Sequence, residues 1–508
     1  MKKSRSWGIA ISYLSTFLNM IFGLVLSSFL LKSLGDTEYG LYQTVSSFAM
    51  YLVMLEFGTG TVMSRNISVC RSRNEEEKIK KHTATIWYIN ICLSLLILII
   101  SIIFYFNIGG IYKNTMTPTQ VDYGQKIFVF ITVYLLVSYF TQALNGFLLG
   151  CENYTFSQTI NLIRLIIRTA SLILIISFVK MAIVIAIIDM VCSIVIFVIT
   201  FIYCKVKYKI SFRIKDFDKN ILKEALPFCF ALMLQTIINQ ANNNVDKFLI
   251  GIKISVEAVS LYSVSQYIYS VFSSVTTLPI TMYLPQVAKD IEKGLKGKEL
   301  VNTLIAPCRL VCLIGGMVMC GFFACGKQFI RIIYGAEYEK AWLYALIIVA
   351  PMFINMLNGI LINVLDVLGK RMIRSYILLA ATALNIILTL IFIPSLGILG
   401  TVIATAISTI VGQIILMNTY YSKALGIPIM HLFKETLKGI FLCQLIAATI
   451  SFIIGFFIKN IYVSFACAGG SFVVICAASL WGWGLNQLEK EKIKSVLKLK
   501  RNNRNEGD

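Results

Sequence analysis

Among the charged side chains inside stretches that are otherwise apolar, the candidates are Glu56, Arg164, Arg168, Asp189, Asp246, Lys247 and Asp366. A charge near a bilayer centre costs at least about 2.5–3.5 kcal/mol on insertion scales, so such residues tend to be functional. Arg164 and Arg168 are four apart, hence on one helix face, about a turn inside the fifth apolar run. Their planar, permanently charged forks suit an anionic headgroup, a diphosphate above all. The alternative is that both snorkel to cytoplasmic headgroups. Asp246 and Lys247 are adjacent and suit either a ligand contact or the outer interface. Asp366 lies close to the cytoplasmic edge, where plain loop-side charge is the other reading. Glu56 and Asp189 sit deeper and are candidates for a coupling proton or cation, or for a buried salt bridge.

Amides extend these points into stripes. Gln235, Asn239, Asn242 and Asp246 recur at steps of four, three and four, and so share one helical face. Asn355, Asn358, Asn363 and Asp366 nearly repeat the pattern, and Ser263, Gln266, Ser270, Ser273 and Thr277 form a third stripe. Interhelical hydrogen bonding, worth about 0.6–2 kcal/mol each, explains Ser, Thr and Asn in membrane helices. Two amide stripes that each end in an Asp point instead to walls of a wet cavity. The expected substrate-binding set is therefore Arg164, Arg168, Gln235, Asn239, Asn242, Asp246, Lys247, Asn355, Asn358 and Asp366, with Glu56 and Asp189 for coupling.

The composition sets what carries these residues. Of 508 residues, 57% are hydrophobic and 14% charged, with a mean hydropathy of +0.79. A soluble domain carries about 25% charge, so most of this surface does not meet water. The net charge of +21 sits in short clusters such as KVKYKISFRIK (205–215) and the tail from Lys490 to Arg504. No basic domain separates from the apolar runs, which excludes nucleic acid as a partner. The thirteen cysteines fall mostly in apolar segments, no CxxC occurs, and His82 and His431 are the two histidines. They read as small buried hydrophobes, with no metal or cofactor expected.

An apolar crossing needs about twenty residues. Runs of that kind predict an all-α integral membrane protein of about fourteen helices. They lie at 7–31, 40–63, 84–106, 127–149, 158–178, 182–203, 225–250, 257–283, 303–326, 342–366, 375–393, 399–421, 438–458 and 463–485. The first run is too long for a signal peptide and lacks a cleavage site, so it reads as a retained span. With the N-terminus inside, one set of alternate loops holds 33 Lys and Arg and the other holds 9. That bias places both termini in the cytoplasm. The expected division is a six-helix lobe (1–204), a basic linker (205–224), a second lobe (225–421), an extra hairpin (422–485) and a basic tail (486–508).

The two lobes resemble one another in sequence. FLLKSLGDTEYGLYQ (29–43) and FLIGIKISVEAVSLYSVSQ (248–266) both run from Phe-Leu to a Glu and then Leu-Tyr, namely Glu38 with Leu41-Tyr42 and Glu257 with Leu261-Tyr262. Asn145-Gly146…Leu149-Gly150 and Asn363…Leu368-Gly369 match in the same order. Six spans per repeat predict a pseudo-twofold along the membrane normal.

Residues 31–68 carry a further likeness. The turn Leu34-Gly35…Tyr39-Gly40…Tyr42, the ending Leu55…Gly58…Arg65…Ile67, and NNNVDKFLIG (242–251) with Tyr262 resemble the Wzx-type polysaccharide biosynthesis proteins, the oligosaccharide-lipid flippases. The resemblance covers residues 5 to about 420 in layout. It implies two six-helix lobes around a central cavity, in the superfamily of multidrug, oligosaccharide-lipid and lipid-precursor exporters. The implied activity is movement of a polyprenyl-diphosphate-linked oligosaccharide between leaflets of the cytoplasmic membrane. No Walker A pattern and no large extra-membrane loop occurs, which argues against an ATPase or a glycan-building enzyme. The alternatives are a drug/cation antiporter of the same superfamily and a scaffold for glycan assembly. Expected partners are the lipid-linked sugar, membrane lipid, and a polysaccharide polymerase or glycosyltransferase.

Overall fold

The computed structural model describes residues 2–56, 58–210, 212–487 and 489–491. The side chains of Glu56, Gln235, Asn239 and Asn242, all expected site residues, lie outside that description. Among the described residues the chain is helical and contains no strand. It is an all-α integral membrane protein.

The first helices are α1 (Lys2–Leu52), α2 (Thr59–Ser72), α3 (Glu76–Ile111), α4 (Pro118–Gly150), α5 (Tyr154–Phe178), α6 (Ile183–Tyr208), α7 (Lys219–Lys253) and α8 (Val256–Met282). There follow α9 (Leu284–Glu292), α10 (Gly297–Ile333), α11 (Lys340–Leu357), α12 (Gly359–Val367), α13 (Arg371–Leu396) and α14 (Ile398–Ser408). Last come α15 (Met417–Leu425), α16 (Ile429–Leu437), α17 (Ile440–Phe457) and α18 (Ile461–Ser479), with π-helical turns at Thr409–Leu416 and Leu480–Gly484.

Eleven of the described helices are long and apolar enough to cross a membrane, against the fourteen expected. One of the eleven, Phe17–Leu52, covers parts of the first two expected spans, because Gly35 at φ 78° is the one break in α1. The second expected span, 40–63, does not run on as one helix. It ends in a tight turn over Val53–Glu56 and resumes after Gly58, whose φ of 59° suits a residue without Cβ. Helix α8 is not among the eleven: amides and hydroxyls dilute its apolar run. The exposed side chains of the remaining helices are large and apolar, as lipid contact requires. Ile103, Phe106, Leu174, Phe178, Phe456 and Phe457 are examples.

The chain divides into two compact units. One is residues 1–263 with 388–401, and the other is 264–387 with 402–508. The first unit thus continues past residue 204 and includes α7, which packs against α1. Its core has one apolar layer around Leu41, Val45, Phe104, Phe128 and Leu135, and another around Met63, Ile67, Ile86, Leu144 and Phe147. Where α1 ends, Tyr139 donates to the Leu52 carbonyl at 2.6 Å and satisfies a group that a turn would leave bare. Helix α4 starts on a capping box: Thr117 Oγ1 accepts from Gln120 N, Gln120 Oε1 accepts from Thr117 N, and Pro118 opens the helix. Gly146 of α4 lets that helix touch α2, since a Cβ there would lie 2.1 Å from the Gly60 carbonyl oxygen. Gly40 does the same for α1 against Val256.

The second unit is built around α10, which packs on α11, α16, α17 and α18. Cys308, Cys312, Cys320, Cys443 and Cys476 lie in its core among Leu, Val and Phe. The short helix α16, absent from the sequence reading, joins α15 to the final hairpin. Arg309 ties this region together. It is 3% exposed, and its guanidinium donates to both Glu489 carboxylate oxygens (2.7 and 3.0 Å) and to the carbonyls of Glu435, Lys438 and Gly484. Those carbonyls end α16 and the last π turn, where helix geometry leaves acceptors unpaired and a cation is favoured.

Candidate functional site: a polar centre around α1

Gly35 sets the start of the site. After it, α1 carries Glu38, Tyr39, Tyr42 and Gln43 along its next two turns. Glu38 and Tyr42, four apart, point at α6. Glu38 accepts the backbone N–H of Ala182 at 2.8 Å, just before that helix begins. Tyr42 donates to Asp189 Oδ2 at 3.4 Å, two turns further along α6.

Asp189 is shared. Arg168 of α5 meets it fork to fork, Nε with Oδ1 and Nη2 with Oδ2 at 2.9 Å. Their side chains are 30% and 14% exposed, so the pair is partly desolvated yet reachable. The bidentate contact uses two of the five guanidinium N–H donors and leaves three to turn outward. Arg164, one turn earlier, lies 5.8 Å from the Tyr134 ring centroid of α4, a cation–π contact, and has no ion pair among the described residues. Helix α5 runs from Tyr154 to Phe178, so the two arginines flank its midpoint rather than standing one turn inside. Arg168 is thus paired with a carboxylate of the neighbouring helix.

A second group lies on the neighbouring face of α1. Lys247 of α7 donates to Gln43 Oε1 at 3.3 Å, and Gln43 Nε2 donates to Tyr39 Oη at 2.9 Å. Asp246 is 3% exposed and accepts from Tyr262 Oη of α8 at 2.6 Å. Consecutive residues Asp246 and Lys247 therefore point to different neighbours instead of pairing with one another. The two repeats meet in one respect: Tyr42 and Tyr262, at matching places in the sequence, each donate to an aspartate of another helix. Glu257, the counterpart of Glu38, accepts from Thr37 Oγ1 at 3.2 Å.

The amides of the expected tenth span are elsewhere, in the second unit. That span is not one helix, because α11 stops at Leu357 and α12 starts at Gly359, so the four residues do not form one continuous stripe. Asn355 Nδ2 donates to Gln413 Oε1 at 2.6 Å, and Asn358 Nδ2 to Asn418 Oδ1 at 2.7 Å. Asn363 Nδ2 donates to the Ile280 carbonyl at 2.9 Å. With Arg374 and Tyr421, Asn355, Asn358 and Gln413 line a cavity of about 10 Å3, room for about one water. Asp366, at the end of α12, is half-buried. In α8 the hydroxyls of Ser270 and Thr277 bond back to their own helix, at Tyr267 O and Ser273 O. Asn355, Asn358 and Asn363 thus each bond to a residue outside their own helix, while Ser270 and Thr277 bond within theirs.

Sequence reasoning passed over Tyr42, Gln43, Tyr262 and Arg309 as working residues. Tyr42 and Tyr262 were visible as the matched tyrosines of the repeat, and Arg309 as a charge inside an apolar run.

Comparison with solved structures finds the same fold. The "Lipid II flippase MurJ, inward closed conformation" aligns with a TM-score of 0.70 at 15% identity, over 93% of this chain and 99% of that one. An inward-facing multidrug resistance MATE family transporter of the MOP superfamily aligns at 0.62 and 14%, over 83% of this chain and 99% of that one. A MOP superfamily transporter from Pyrococcus furiosus, described as having reverse polarity of its binding pocket, aligns at 0.54 and 13%, over 85% and 96%. No curated protein matches the chain. The fold is that of transporters and flippases, in a multi-pass membrane protein. The profile of the family described as "Polysaccharide biosynthesis protein" matches residues 7–290, more than half of the sequence, and the chain belongs to that family.

Proposed function

We propose that the protein flips a polyprenyl-diphosphate-linked oligosaccharide, a repeat unit of a cell-surface polysaccharide, from the inner to the outer leaflet of the cytoplasmic membrane. The observation that carries this reading is the Arg168–Asp189 pair near the midpoint of α5. A guanidinium that keeps three donors free beside a carboxylate can exchange that partner for a diphosphate, which offers the same planar pairing with more charge. Arg164, a turn away, adds a second fork. Asp189, released, is then open to a proton, which offers a coupling step without ATP. Alternating exposure of the site to the two faces moves the headgroup while the polyprenyl tail stays in lipid. Both termini are placed in the cytoplasm by the loop charges.

The drug/cation antiporter is the second reading, favoured by the likeness to the MATE transporter. A cation site needs an acidic surplus. Asp189 is already paired with Arg168, while Arg164 has no ion pair among the described residues. That balance favours an anionic cargo.

The test is complementation of a gene deletion, with lipid-linked sugars assayed on each leaflet. The Arg164→Lys, Arg168→Lys double variant should accumulate substrate on the cytoplasmic leaflet at normal protein abundance, because lysine keeps the charge and loses the fork. Full export by that variant removes the arginines from the site. Unchanged leaflet distribution in the deletion strain itself removes the flippase reading and leaves the antiporter or a scaffold.

A further inference from the structure

The first unit holds a cavity that the transport site does not use. It lies where α2 meets α3 and where α4 and α6 end, far along the sequence from the α1 turn, and its volume is about 790 Å3. Pockets of about 300–1,000 Å3 suit small-molecule ligands. Four cationic side chains line it, Arg71, Lys80, Lys207 and Lys209, against the single carboxylate of Glu76. Phe147 and Ile79 form an apolar floor, and Tyr208 stands at the wall.

These cations are not consumed by local pairing. Arg71 donates from Nη1 to the Cys151 carbonyl at the end of α4. That bond holds the guanidinium in place and leaves its remaining N–H groups. Lys207 donates to Tyr203 Oη at 2.7 Å and lies over the Tyr203 and Tyr208 rings, while Asn153 fixes both phenols. Lys80 and Lys209 have no carboxylate partner among the described residues. A surplus of fixed cations around an accessible cavity draws anions into it.

The backbone gives a separate reason. Among the described residues three that are not glycine have positive φ: Asn74 at 55°, Glu152 at 57° and Lys209 at 50°. All three follow the ends of helices that border this cavity, α2, α4 and α6. Glycine is the residue that closes a helix there without strain. Asn74 and Lys209 instead keep side chains, and both line the cavity. Strain retained at a binding wall is the expected place for it.

We propose that this pocket binds a phosphate ester, with Lys80, Lys207 and Lys209 around the phosphate, Arg71 on its oxygens, and the apolar floor under the attached group. The site stands apart from the transport reading, because it uses none of the residues assigned to translocation. The phosphate can come from a soluble phosphorylated molecule or from a lipid headgroup, and the experiment separates them.

The full chain is placed in nanodiscs of phosphatidylcholine, and binding of radiolabelled inorganic pyrophosphate is measured at equilibrium, with the Arg164→Lys, Arg168→Lys variant run in parallel to subtract what the transport site takes. A second arm adds phosphatidic acid to the nanodisc and counts lipid retained by native mass spectrometry. The variants are Lys80→Gln with Lys209→Gly, and Lys126→Gln as a basic residue outside the pocket. Lys209→Gly removes the cation and relieves the backbone, so a misfolded protein is not the expected result. Saturable pyrophosphate binding that weakens about tenfold in the double variant identifies a soluble phosphate ester. Retained phosphatidic acid lost in the double variant, with no pyrophosphate binding, identifies a headgroup. Failure to bind in both arms, or equal binding by wild type and the double variant, overturns the proposal.

Discussion

Tyr42 and Tyr262 hold two different aspartates by the same kind of bond, Tyr42 to Asp189 at 3.4 Å and Tyr262 to Asp246 at 2.6 Å. The environments differ. Asp189 also has Arg168, and Asp246 is almost wholly buried. Removing a donor from a buried carboxylate costs more than removing one from a carboxylate that water still reaches. Tyr262→Phe should therefore destabilise the protein by about 1–3 kcal/mol, and Tyr42→Phe by less than about 1 kcal/mol. Thermal unfolding in detergent measures both; a larger loss for Tyr42→Phe would refute the ranking.

The Arg168–Asp189 pair is expected to behave as a unit. Asp189→Asn or Arg168→Gln alone strands one partly desolvated charge and should cost about 1–3 kcal/mol. The double neutral variant should regain most of that stability without regaining export. A double-mutant cycle on unfolding, run beside the leaflet assay, reads the two effects separately. Additive losses in stability would show that the two residues do not depend on each other.

Gly146→Ala should lower the amount of protein in the membrane. Its Cβ would lie 2.1 Å from the Gly60 carbonyl, so α2 and α4 must separate. Gly470→Ala is the control, because nothing lies within 4 Å of a Cβ there. Equal abundance of the two variants counts against close packing at Gly146.

Arg309→Lys should destabilise by several kcal/mol even though charge is kept. One ammonium cannot reach both Glu489 oxygens and three carbonyls at once. Glu489→Gln should cost less, since the three carbonyl contacts remain. Limited proteolysis of the α17–α18 hairpin, together with the unfolding midpoint, checks the order of the two.

Topology is open to direct labelling. Single cysteines at Thr117 and Lys296 in a cysteine-free background should react from outside and inside, respectively, in intact cells and inverted vesicles. Reaction of position 296 in intact cells would reverse the orientation drawn from the loop charges.

Much of this was legible in the sequence, and the reasons for the rest are physical. The apolar runs gave the helices because a lipid-facing helix must be apolar along its whole exposed side, as in α3 and α5. Helix interruptions were not legible where no proline marks them: Gly58 and Asn358 break spans that composition reads as continuous. The charged residues were found because a charge in an apolar run is conspicuous. Their pairing was not, since Arg168 and Asp189 are joined by the packing of α5 on α6 and the sequence holds only their depth. The partners of the amides were hidden for a related reason. A hydrophilic stripe looks the same whether it faces water or, as for Asn355 and Asn358, an amide on the next helix.

The arginine at position 309 has a consequence for how the protein is made. All five of its hydrogen bonds go to groups between residues 435 and 489, which leave the ribosome long after α10 has entered the membrane. Until then the guanidinium has no permanent partner and must stay hydrated or bound to headgroups. The final hairpin thus closes an assembly that has waited through more than a hundred residues of synthesis.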